Sequence, residues 1–325
     1  MGDSAAALYS GPGETLRRGF LVGGALALAF LPAVLPGCEL FHGVVEYVTT
    51  PCPFGTKHVV STDSGTPGLK KLKEKWCEKT DDKGERNRHG PYVEMYESGY
   101  RKEIGQYREG RRVGTWMRWY PSNKASSTTV YDDGKPASFT AWHENGEKWE
   151  EGRFENGRPH GAWIRWHANG KKEFEGYYDH AAFDRLYTLW HDNGRKEEEG
   201  KYEKGVRQGL WIKWHRNGQK RSEILFENGK PDEWYKAWHE NGQQAEQALF
   251  HHGKPEGIYT LWHDNGQKEE EGTYKDGMLE GAVTAWDREG HVWMKSEYHG
   301  GDLVERSGGE APEGKGSGDF PAPSG

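Results

Sequence analysis

Aromatic residues return along this chain at a fixed step. Trp142, Trp166, Trp190, Trp214, Trp238, Trp262 and Trp286 stand 24 residues apart, and Tyr96 and Trp119 precede them at steps of 23. A second series keeps the longer step: Phe154, Tyr178, Tyr202, Phe226, Phe250, Tyr274 and Tyr298. Self-similarity at this period marks a repeat array, read here as nine copies of one small unit over residues 90–301. Each unit is too thin to hold a deep core. The array instead builds a long surface, and long surfaces bind.

The unit reads as a β-hairpin. Between Tyr187 and Tyr202, Asn193-Gly194 divides two strand-like runs, and this dipeptide is the strongest short hairpin signal because a type I′ turn needs two residues at positive φ. The same pair stands at Asn145-Gly146, Asn169-Gly170, Asn217-Gly218, Asn241-Gly242 and Asn265-Gly266. A two-residue turn fixes the register by counting. Tyr187 then faces Gly200, Phe139 faces Gly152, Trp163 faces Gly176 and Tyr259 faces Gly272. The same count pairs Tyr92 with Gly105, Trp116 with Thr129, Tyr235 with Ala248 and Val283 with Ser296, and only Trp211 with Ile224 departs from large against small. An aromatic ring lying over a cross-strand glycine stabilises such a ladder.

A second punctuation, an aromatic followed three residues later by Gly, marks the turn into the next unit, as at Phe154/Gly157 and Tyr202/Gly205. Tyr178 is followed by Ala181 instead, and Arg185 stands where other units carry Gly161, Gly209, Gly257 or Gly281. That connection is expected to be irregular, as a defect or a binding feature. Trp211 points to one face, and Leu210, Ile212 and Trp214 to the other, so both faces carry apolar groups. The fold class is therefore all-β: an elongated single antiparallel sheet of about nine stacked hairpins, about 85 Å long. Its end units act as caps.

Composition alone leans the other way. Only 33% of the 325 residues are hydrophobic, but 15 Trp, 16 Tyr and 11 Phe at periodic positions exclude a disordered chain. Net charge is -7, and Lys and Glu are interspersed, so the basic footprint of a nucleic-acid binder is missing.

Residues 1–37 read as a signal peptide. An apolar run at 20–34 follows Arg17-Arg18 and falls short of the roughly 20 residues that span a bilayer. Leu35-Pro36-Gly37-Cys38 resembles a bacterial lipobox, with Cys38 the residue that would take the lipid. Arg17-Arg18-Gly19-Phe20-Leu21 resembles the twin-arginine export motif, and either export route remains open. In an exported protein the two other cysteines, Cys52 and Cys77, are expected to form a disulfide. Residues 38–89 show no period and read as a linker or cap, with the charge run Lys70 to Lys75 on a short solvated helix or linker. Residues 302–325 read as a disordered tail.

The stretches Gly209 to Gly218 and Gly272 to Gly277 carry the pattern Gly-x-Trp-x-x-Trp-His-x-Asn-Gly and Gly-x-Tyr-x-x-Gly most fully. They resemble the variant MORN repeat, as in the YwqK-type antitoxin repeat family. The resemblance implies stacked hairpins used for protein or lipid contact, and the antitoxin label implies neutralising a partner toxin.

Catalysis is not expected. No Gly-x-Ser-x-Gly, P-loop or HExxH motif is present, and no cofactor or metal is called for. The histidines at 143, 167, 191, 215, 239 and 263 lie about 10 Å apart in such a sheet, too far to share one ion. His251-His252 lacks a carboxylate at useful spacing, and Glu197-Glu198-Glu199 reads as a solvated face. The expected role is a non-enzymatic, membrane-anchored lipoprotein of the bacterial envelope whose repeats bind a protein. The alternatives are glycan or cell-wall binding through the Trp series, and toxin neutralisation.

Overall fold

The computed structural model describes residues 51–63 and 71–309, which lie within the unit Gly43–Gly325. Among them there is no helix, and 22 strands form one open antiparallel sheet. The strands are β1 (Lys57–Asp63), β2 (Lys71–Thr80), β3 (Arg86–Met95), β4 (Arg101–Arg108), β5 (Arg111–Trp119), β6 (Ala125–Asp132) and β7 (Lys135–Trp142). Next come β8 (Lys148–Glu155), β9 (Arg158–Trp166), β10 (Lys172–Asp179), β11 (Ala182–Trp190), β12 (Lys196–Glu203), β13 (Val206–Trp214) and β14 (Lys220–Glu227). The last are β15 (Lys230–Trp238), β16 (Gln244–His251), β17 (Lys254–Trp262), β18 (Lys268–Lys275), β19 (Met278–Leu279), β20 (Gly281–Trp286), β21 (Val292–His299) and β22 (Asp302–Gly308). Each pairs with its neighbours in sequence, with β19 and β20 together forming one interrupted partner of β18.

All nine counted pairs are present, Tyr187 opposite Gly200 and Trp163 opposite Gly176 among them. The turns that produce them differ from expectation. At Asn193-Gly194 only the glycine has positive φ; His191 N–H bonds Arg195 O, and Gly194 N–H bonds His191 O. This is a three-residue loop closed by a glycine bulge, and it shifts the register by one. A second bulge at Glu197 shifts it back, so that Trp190 pairs with Lys196 while Leu189 pairs with Glu198. The type I′ conformation occurs at the other connections. Asn156-Gly157 has φ 52° and 79°, and Asn228-Gly229 has 52° and 78°.

The connection expected to be irregular is regular in register. His180 and Ala181 take φ 49° and 75°, and Tyr178 pairs with Phe183 as in the other turns. Arg185 likewise holds φ 66°, the conformation of Gly209, and Glu233 does the same at 62°. Strand pairing keeps these positions in the left-handed region at a cost of roughly 1–2 kcal/mol for each side chain.

The sheet runs beyond the expected array at both ends. Lys71 to Lys75 belong to β2 rather than to a helix or linker, and residues 302–308 form β22. Cys52 and Cys77 are joined as a disulfide with Cα atoms 5.6 Å apart, tying the segment before β1 to β2. Cys38, Arg17, Arg18, the rest of residues 1–50 and residues 310–325 lie outside the described residues.

Candidate functional site

One face of the sheet carries most of the core, and a smaller cluster of Val93, Ile104 and Trp119 is buried on the other. Tyr187, Tyr202, Trp211 and Phe226 form a continuous run, with ring centroids of Tyr202 and Trp211 at 4.9 Å and of Tyr187 and Trp211 at 5.7 Å. Arg207 covers the Trp211 ring at 4.3 Å. The glycines receive rings chiefly from the hairpin that follows, not from their own. A Cβ on Gly200 would lie within 2.6 Å of three atoms of Trp211, and one on Gly105 within 2.7 Å of three atoms of Trp116. Gly152 accommodates Trp163 in the same way. The large-on-small contact thus joins unit to unit. Gly272 is shared, with its own Tyr259 at 2.7 Å and Val283 of the next unit at 2.8 Å.

This face also holds a row of glutamates. Glu103 is buried between Arg112 at 2.9 Å and Arg118 at 2.7 Å. Glu150 accepts the Trp163 indole N–H at 2.8 Å, and Glu270 accepts the Tyr259 hydroxyl at 2.6 Å. Glu198 is buried, with Arg207 and Lys213 each at 3.6 Å, contrary to the solvated reading of that run. The bulge at Glu197 turns Glu198 inward. The Oε1 of Glu246 is sealed without a hydrogen bond, and burial pushes its carboxyl up to about 7.

The opposite face carries the 24-residue tryptophan series, half-buried. Lys148, Lys172, Lys196, Lys220 and Lys268 lie over Trp166, Trp190, Trp214, Trp238 and Trp286 at 5.0–5.7 Å. Each lysine also pairs with the glutamate three residues on. Five of the seven rings thus carry a lysine of the preceding hairpin over the ring.

The histidine series lies at the turn edge and is structural. Nε2 of His143, His167, His191, His215, His239 and His263 bonds the carbonyl of the tryptophan in the next unit at 2.7–3.0 Å. The turn asparagines do likewise, donating from Nδ2 to the next turn's backbone at 2.6–2.7 Å. His251 and His252 do have a carboxylate neighbour, since Asp232 of β15 comes across the turn to within 3.7 Å of His251 Nδ1.

One surface went unread in the sequence. Leu186, Leu210, Trp234 and Ile258 are 59%, 51%, 42% and 58% exposed, a row of apolar side chains at the repeat step. Each follows the left-handed residue at 185, 209, 233 or 257, where the strand bulges away from the preceding hairpin and lifts the side chain outward. Leu225 and Leu249 pair across from Leu210 and Trp234 and widen the stripe. The 24-residue spacing of these four positions was the available signal.

Comparison with known proteins bears on the repeat itself. No curated protein matches the chain. Among solved structures, the crystal structure of TcdB2-TccC3-TEV is 10% identical over 75% of this chain and 14% of that one, with a TM-score of 0.13. A protein with unknown function from Bacteroides fragilis NCTC 9343 is 10% identical over 54% of this chain and 96% of that one, with a TM-score of 0.11. The chain thus spans 14% of the length of the first. Residues 159–180, 207–228 and 255–276 match the model of the MORN repeat variant, and each match covers one hairpin: β9–β10, β13–β14 and β17–β18. The chain carries variant MORN repeats at these three positions.

Proposed function

We propose that this chain is a non-enzymatic lipoprotein of the bacterial envelope, anchored through Cys38, whose repeat sheet binds a protein partner. The apolar stripe Leu186, Leu210, Trp234 and Ile258 carries the reading. Its four positions step by two strands each, giving a strip about 30 Å long, the dimension of a standard protein interface. An exposed apolar strip beside charges, here the Lys–Glu ladder, with Lys201 set between Leu186 and Leu210, is the usual form of a docking site. The Cys52–Cys77 disulfide supports an oxidising compartment, and with it export. Toxin neutralisation is the same surface with a toxin as its partner.

The test is site-specific photocrosslinking from positions 210 and 234 of the full chain in intact cells. One protein species should be captured, and Leu210→Glu with Ile258→Glu should abolish the capture. Recovery of lipid or glycan alone would overturn the reading. Mass spectrometry of Cys38 tests the anchor separately: an unmodified cysteine in the membrane fraction ends that part of the proposal.

A further inference from the structure

The connection that departs from the repeat sequence gathers an unusual set of side chains. Glu155 ends β8, His160 lies in β9, Asp179 ends β10 and His180 opens the turn to β11. We propose that these four residues form a binding site for a divalent transition metal ion, Zn²⁺ in the first instance.

The strongest observation is what His160 does not do. The residue at its position in other units caps the next two-residue turn. Asp184 accepts the Lys204 N–H at 3.2 Å, Gln208 that of Asn228 at 3.2 Å, and Asp232 that of His252 at 2.9 Å. Glu256 accepts the Asp276 N–H at 2.8 Å and Glu280 that of Gly300 at 2.8 Å. Even a histidine can serve, since His89 Nδ1 accepts from Glu109 N–H at 3.3 Å. His160 Nδ1 is buried with no hydrogen bond at all. It is aimed instead between two carboxylates, 3.5 Å from Glu155 Oε2 and 3.5 Å from Asp179 Oδ1.

His180 completes the group. Asp179 Oδ1 holds its Nδ1 at 2.7 Å, and its Nε2 lies 3.8 Å from Glu155 Oε2. Ligands about 2.0–2.1 Å from a tetrahedral ion are about 3.3 Å from one another. With His180 ligating through Nε2, the spacings of His160 Nδ1 and His180 Nε2 from Glu155 Oε2, 3.5 and 3.8 Å, lie within about half an ångström of that value, and Asp179 holds the far nitrogen of His180. Two imidazoles with carboxylates suit a borderline ion such as Zn²⁺. A carboxylate on the far nitrogen of a ligating imidazole is the arrangement that orients such ligands.

Ala181 and Arg185 hold left-handed conformations at the positions where Gly205 and Gly209 stand in the next unit. The other two groups of the same type are poorer. Asp232 already caps His252 N–H beside His251, and Cys52 and Cys77 are consumed by their disulfide beside His58.

The full-length protein, stripped with chelator, should bind one Zn²⁺ per chain in a calorimetric titration with ZnCl₂. His160→Ala and His180→Ala should each weaken binding by about tenfold or more. His180 sits on an exposed turn, so its variant removes a ligand without disturbing packing. A His251→Ala/His252→Ala control should bind as wild type. Binding should also weaken at acid pH, because protons compete with the ion for the imidazole nitrogens. Wild-type affinity in both single variants, loss in the control, or no heat of Zn²⁺ binding to the unmodified protein would each overturn the proposal.

Discussion

Replacing Gly200 by alanine isolates the contact that joins one hairpin to the next. Gly200 has an ordinary strand conformation, so the substitution acts through space alone. The added carbon would fall within 2.6 Å of three atoms of the Trp211 indole, well inside van der Waals distance. Trp211 cannot step aside: it is 2% exposed, packed by Tyr187, Tyr202 and Phe226 and covered by Arg207. Overpacking of this kind costs about 2–3 kcal/mol. Gly209→Ala is the matched control, because its φ is 69° and nothing lies within 4 Å of its would-be Cβ. That change costs only the left-handed strain, about 1 kcal/mol. In a repeat array the loss stays near the altered interface. Hydrogen exchange by mass spectrometry should therefore show β12 and β13 opening about 30- to 150-fold more readily in Gly200→Ala. Equal effects of the two substitutions, or exchange unchanged in Gly200→Ala, would refute the seating of Trp211 on Gly200.

Two further outcomes follow from the same geometry. Ala181→Gly releases left-handed strain and should stabilise the β10–β11 turn by about 0.5–1 kcal/mol after the added chain entropy, read as a higher urea midpoint. A lower midpoint would contradict the turn assignment. Glu246 is raised from 4.5 to about 7, so its contribution is complete below about 4.5 and is lost as pH rises to about 7. Glu246→Gln should leave stability unchanged at low pH and raise it above pH 7, by about 3 kcal/mol at most. An identical pH profile in the variant would show that the carboxylate is not desolvated.

Much of the sheet was legible because the repeat itself supplies many copies of one signal. The nine facing pairs were countable even though the turn chemistry was misassigned. The glycine loop moves the register one way and the bulge at Glu197 moves it back, so two offsets cancel in the body of each hairpin. The turn type was hidden because it depends on another hairpin. Asn193 accepts from Arg195 N–H within its own turn while donating to Arg216 O in the next unit, and that second bond lies outside a dipeptide reading. The same limit hid the donor of each ring. A glycine in a central strand has neighbours on both sides, and counting within one hairpin sees only one of them. β1 and β2 lack the repeat aromatics, so periodicity said nothing about them. The metal-type cluster joins residues of two connections, Glu155 with His180 across 25 positions, and only the stacking of turns brings them together.

The most direct measurement is by solution NMR with glycine-selective labelling. If each hairpin is locked to its neighbour by a ring seated on a glycine, the Hα protons of Gly105, Gly152 and Gly200 lie over the indoles of Trp116, Trp163 and Trp211. They should show strong upfield shifts and NOEs to those indoles, and substituting the one tryptophan should remove each shift. Unshifted Hα resonances, or NOEs from Gly200 to Tyr187 alone, would contradict the account.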